Sequence, residues 1–81
     1  MNIDEQISVI AIFKRNGKIL PWRISWQGRV YKAVGVDFHH FDRSGSNLCH
    51  ILGVSTDSLY FRLRFNSEKL TWIAEEVVDV E

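Results

Sequence analysis

Leu59-Tyr60-Phe61-Arg62-Leu63-Arg64-Phe65 decides the fold class of this chain. Leu59, Phe61, Leu63 and Phe65 alternate with Tyr60, Arg62 and Arg64, the period of a β-strand with one face against a core. A helical period would scatter the same apolar side chains around all sides of the segment. The face opposite the core is aromatic and basic. Working outward, Asn66-Ser67-Glu68-Lys69 turns the chain, and the run Leu70 to Val80 follows. Leu70, Ile73, Ala74 and Val77 in that run fit a helical period, yet Thr71-Trp72-Ile73 reads better as a strand.

Towards the N-terminus the strand signal recurs. Leu48 to Ser55 is apolar-rich and ends at Thr56-Asp57-Ser58, and the turn formers Asp42-Arg43-Ser44-Gly45-Ser46-Asn47 precede it. Val30, Val34, Val36 and Phe38 alternate as one strand, with Gly35 offering a bend that lets a small sheet curl. Leu20, Trp22, Ile24 and Trp26 form an alternating face closed by Gln27-Gly28, and Pro21 favours an edge. That alternation puts Trp22, Trp26 and Trp72 inside. Gln6 to Phe13 is a β-branched run stopped by Asn16-Gly17. The predicted fold is therefore all-β: a small antiparallel meander of about six strands rolled into a barrel, its last segment open to a helical reading.

The 81 residues allow one domain, 1–81, with a core over 6–74 and an acidic C-terminal tail over 75–81. With 46% hydrophobic residues the chain can bury a core. Its single cysteine, Cys49, excludes an internal disulfide. No basic leader followed by an apolar stretch opens the sequence, and no run approaches a membrane span, so a cytoplasmic protein without membrane contact is expected. The formal charge is zero, yet residues 6–70 hold all ten Lys and Arg against Asp37, Asp42, Asp57 and Glu68. A basic body is thus flanked by acidic ends.

Gly17-Lys18-Ile19-Leu20-Pro21, Trp26-Gln27-Gly28-Arg29-Val30-Tyr31, Phe61-Arg62-Leu63-Arg64-Phe65 and Trp72 with Glu75-Glu76-Val77 occur in that order. In these motifs the chain resembles a group of small bacterial proteins of unassigned function. It is also distantly similar to the C-terminal β domain of some Y-family-polymerase-like mutagenesis proteins, whose pattern includes a similar Trp-x-Gly-Arg-x-Tyr hairpin. The resemblance implies a small β domain, hints at a DNA-related role, and brings no catalytic residues. His39-His40 to Cys49-His50 has no counterpart in it.

His39, His40, Cys49 and His50 are all of metal-ligand type, and a hairpin turning at Ser44-Gly45 sets His39 opposite His50 and His40 opposite Cys49. Each face then carries two ligands, fewer than a tetrahedral site requires, so neither a metal nor a cofactor is predicted. Phosphate loops, zinc-protease helices and paired catalytic carboxylates are not visible, so no enzyme and no catalytic residue is expected. Alternation assigns Arg23, Tyr31, Tyr60, Arg62 and Arg64 to outward faces, a mixture of charge and aromatic platforms. The predicted function is a noncatalytic binding or adaptor module, with a protein partner or self-association favoured. Single-stranded nucleic acid, held by stacking on the tyrosines and by phosphate contacts to the arginines, is the alternative.

Overall fold

A computed structural model describes residues 2–79. It contains seven strands: β1 (Asn2–Phe13), β2 (Ile19–Trp26), β3 (Arg29–Lys32), β4 (Gly35–Ser44), β5 (Asn47–Ser55), β6 (Leu59–Asn66) and β7 (Thr71–Asp79). They form one antiparallel sheet in the order β3-β2-β1-β7-β6-β5-β4, curled into a half-barrel. The predicted all-β antiparallel meander is therefore present: β1 to β3 and β4 to β7 each run beside their sequence neighbours, β7 returns to β1, and β3 and β4 are the two edges.

The seventh strand comes from a break in a predicted single one. β3 and β4 continue in the same direction with only Ala33 and Val34 between them. The Ala33 amide donates to the Trp22 carbonyl (3.1 Å) and the next amide, Val34, to the Ser55 carbonyl (2.8 Å). Two consecutive amides thus bond to strands in opposite halves of the sheet, β2 and β5. The barrel closes at this corner, and beyond it β4 peels away from β2 to pair with β5.

Local chemistry explains the register. Gln27 and Gly28 both adopt positive φ (50° and 78°), which makes the β2–β3 connection a two-residue mirror-image turn suited to strand twist. Trp26 therefore pairs with Arg29 and Ile24 with Tyr31. A longer, bulged loop would have put Tyr31 on the outer face, because a slip of one residue exchanges the two faces of a strand. Tyr31 is accordingly in the core at 9% exposure, while Val30 and Val34 face solvent.

Bulges supply the remaining curvature. In β2 the ladder skips Trp22 between Pro21 and Arg23, so that Ile19, Pro21 and Ile24 point inward and Trp22 points out, 43% exposed. In β7 it skips Glu75: Trp72, Ala74 and Val77 face the core, a two-then-three spacing. One extra residue in a strand is what made 70–80 resemble a helix by periodicity. Leu70 closes the turn and Thr71 to Asp79 are strand, so the predicted acidic tail is part of the sheet up to Asp79; Val80 and Glu81 lie outside the described residues. Asp42 to Ser44 likewise belong to β4, which turns tightly through Gly45-Ser46 into β5.

The core lies on the concave side. Phe61, Leu63 and Phe65 of β6 meet Leu52 and Val54 of β5, Trp72, Ala74 and Val77 of β7, and Ile24 and Tyr31 of the β2–β3 hairpin. Phe61 is fully buried and takes the edges of Trp26 and Tyr31 at 5.8 and 5.5 Å between ring centroids.

Candidate functional site

The outward residues singled out from the sequence do not form one face. Tyr31 is buried, against the expectation that it lies outside, because the tight turn fixes its pairing with Ile24. Arg23 lies on β2, half-buried, its guanidinium 3.6 Å from the centroid of the Trp22 ring. Tyr60, Arg62 and Arg64 share the convex face of β6. Burial and the nearby Asp37 carboxylate push the Tyr60 hydroxyl pKa above its ordinary value.

Arg62 and Arg64 are engaged rather than free. The β7 bulge turns two consecutive carboxylates to the convex face, as an inserted residue does when it re-aims side chains. Glu75 accepts hydrogen bonds from Arg62 Nε (3.2 Å) and Arg64 Nε (2.5 Å), and Glu76 lies 3.6 Å from Arg62. Asp42 pairs with Arg64 at 3.1 Å from the other side. The Glu75 and Asp42 hydrogen bonds hold the Arg64 guanidinium charged at any accessible pH. Three acids thus neutralise the strand that gave the strongest basic signal.

The histidines are also rearranged. His40 pairs with Ile51, Phe41 with His50 and Asp42 with Cys49, a register two residues away from the one expected. The turn at Gly45-Ser46, one residue later than Ser44-Gly45, accounts for the difference. His39 and His50 still meet, as diagonal neighbours on the concave face, with Nε2 of one 2.9 Å from Nδ1 of the other. His40 is exposed and lies beside the Phe38 ring on the convex face. Cys49 is buried and pairs with Asp42 on the convex side, opposite the face that holds His39 and His50. Among the described residues no three His, Cys, Asp or Glu side chains converge as a metal site would require.

What the sequence reading missed is the opening beyond the corner. Where β4 diverges from β2 a cleft of about 330 Å³ remains, with Lys14, Lys18, Ile19 and Leu20 on one wall and Val36, Phe38 and His39 on the other. Next to it a band of rings crosses the concave face. Trp72 stacks on Phe65 (4.7 Å between centroids), which meets Phe13 (5.6 Å) and His50 (6.0 Å), and His50 meets Phe41 (5.0 Å). The band begins in the core and ends in solvent, where Phe13 and Phe41 are 60% and 69% exposed. The sequence held two signs of it: Pro21 marking an edge and Gly35 marking a bend.

Both walls of this fork are open strand edges. β2 pairs with β3 only from Arg23 onward, so Ile19 to Pro21 have a partner on the β1 side alone. β4 ends the sheet and, among the described residues, pairs only with β5. No family pattern matches the chain, and no curated protein or solved structure does.

Proposed function

We propose that this domain is a noncatalytic binding module that contacts a protein partner at the open end of its half-barrel. The observation that carries the reading is the fork itself: two unpaired strand edges, a cleft between them, and two exposed phenylalanines, Phe13 and Phe41, in the ring band beside it. Exposed apolar side chains grouped around a concavity mark contact surfaces, whereas single ones are ordinary. The arginine pair on β6 supports the same choice, because its charge is spent on Glu75, Glu76 and Asp42. A nucleic-acid surface built on Arg62 and Arg64 would first have to break those contacts.

The test is site-specific photocrosslinking in a lysate of the native host, with a benzophenone side chain replacing Phe41 and, as control, Val30. Discrete, protease-sensitive adducts from position 41 and none from position 30 are expected. Adducts that nuclease removes, or equal adducts from both positions, would overturn the proposal.

A further inference from the structure

We propose that the occupant of the fork is an extended acidic segment of the partner, which adds as a further strand to the free edge of β4. This rests on the binding reading above and names the partner's chemistry. An edge strand presents alternating N–H and C=O groups without partners, and natural proteins blunt such edges with proline, lysine, bulges or short length. β4 carries a bulge at Asp37 and the charges of Asp42 and Arg43 towards its end; from Phe38 to Ser44 its ladder to β5 is regular and contains neither proline nor lysine, and Phe38 to Phe41 carry no formal charge with the histidines neutral. That leaves a template long enough for strand addition, in which backbone bonds give affinity and alternate side chains give specificity. A peptide backbone satisfies both kinds of edge group, whereas a phosphodiester only accepts hydrogen bonds.

Charge chooses the sequence of the segment. Lys14 and Lys18 line the cleft with Arg15 between them in the turn, and among the described residues none of the three has an acidic partner. The nearby acids of β4 are occupied: Asp37 accepts a hydrogen bond from Ser55 (2.7 Å) and Asp42 is held by Arg64. The carboxylates must therefore come from the occupant. Its intervening side chains face His39 and Phe41 and are apolar. A second copy of the chain fits poorly, because its other edge strand, β3, carries Arg29 and Lys32 and would bring more positive charge to the cleft.

The experiment titrates the isotope-labelled full chain with an octapeptide alternating Val and Glu, capped at both ends, and follows backbone amides by nuclear magnetic resonance. Expected are shifts at Lys14, at Lys18 to Leu20 and along Phe38 to Ser44, with slowed hydrogen exchange in β4. Binding should weaken about tenfold in the Lys14→Glu/Lys18→Glu variant, both positions being exposed and away from the core. A peptide with proline at its central position, and one with Lys in place of Glu, should produce no shifts. Equal binding of the Lys peptide would overturn the acidic assignment, and an unaffected proline peptide would overturn strand addition. Fork shifts caused by an oligothymidylate, or by raising the protein concentration alone, would replace the occupant with nucleic acid or a second copy. If no peptide binds while position 41 still crosslinks to protein, the acidic strand is wrong and the protein-binding module stands; if both fail, both readings fall.

Discussion

His39 Nε2 and His50 Nδ1 lie 2.9 Å apart, so that one imidazole donates a hydrogen bond to the other. Only one proton fits between the two nitrogens, and a second positive charge would face the first across the concave side. Burial lowers the pKa of both rings from the ordinary 6.5, and the charges of His50 and His40 lower that of His39 further.

A pH dependence of stability follows from this pair. Below 6.5 the unfolded chain takes up protons that the folded pair resists, so the unfolded state binds more protons and stability rises with pH there. The contribution is complete above 6.5 and is lost as pH falls through that value towards the lowered native ones. Urea midpoints measured from about pH 7.5 down to about pH 5.5 should decrease, and His50→Phe, which keeps a ring between Phe41 and Phe65, should flatten the decrease. A variant as pH-sensitive as the wild type would assign the titration to other groups.

Glu75 is the acid on which the convex face depends, because Arg62 and Arg64 both bond to it. Glu75→Gln leaves two like charges side by side, although Glu76 and Asp42 remain. Its side chain is 15% exposed against 40% and 29% for the arginines, so solvent screens part of the effect. A loss of about 1–2 kcal/mol is expected, between the values for exposed and buried pairs. The same variant tests the nucleic-acid alternative. Wild-type protein should bind a labelled single strand weakly in fluorescence anisotropy, and Glu75→Gln should bind more tightly, with a steeper salt dependence as freed arginines reach phosphate.

The sequence was most readable where alternation is unbroken and least readable where a residue is inserted. β6 carries no inserted residue, and Phe61, Leu63 and Phe65 are inside as their spacing requires. The ladder skips Trp22 in β2 and Glu75 in β7, and each shifts the count by one, so that in β2 Ile19, Pro21 and Ile24 face inward instead of Leu20, Trp22 and Ile24. Bulges leave no fixed residue signature, so the outward turn of Trp22 and the pairing of Glu75 with Arg64 emerge only in three dimensions. Tyr31 was misplaced for a related reason: whether Gln27-Gly28 forms a two-residue or a longer turn decides the parity of the whole hairpin. The fork depends on both features at once, and no local pattern encodes where two strands part.

The three tryptophans should separate cleanly in a mutational series. Trp72 is 7% exposed and stacked on Phe65, so Trp72→Ala should cost about 3–5 kcal/mol. Trp26 is half-buried, with its indole N–H donating to Glu5 at 3.3 Å and its ring against Phe61, and its replacement should cost about 2–3 kcal/mol. Trp22→Ala removes a 43% exposed ring outside the core with Arg23 stacked over it, and should cost about 0.5 kcal/mol. Iodide quenching should act mainly on the fluorescence that Trp22→Ala removes. A cost for Trp22 equal to that for Trp72 would contradict its place on the convex surface.

Gly53 lies where β5 passes beneath Phe38, and a methyl group built there would overlap both the Phe38 ring and the Tyr60 hydroxyl. Its backbone is in the ordinary extended range, so Gly53→Ala brings no conformational strain and its cost is steric. Overpacking of this kind typically costs about 1–3 kcal/mol, against which alanine recovers about 0.4–1 kcal/mol by restricting the unfolded chain. In the wild-type background the steric cost dominates, and the urea midpoint should fall. In a Phe38→Ala/Tyr60→Phe background the obstructing atoms are gone while the unfolded-chain effect remains, so the same substitution should raise the midpoint. That reversal of sign distinguishes a packing contact from a requirement for glycine itself: a residue needed for its backbone freedom would be destabilising to replace in both backgrounds. Because Phe38 also lines the fork, Gly53→Ala should displace its ring and alter the amide shifts of Val36 to His39 even without a ligand.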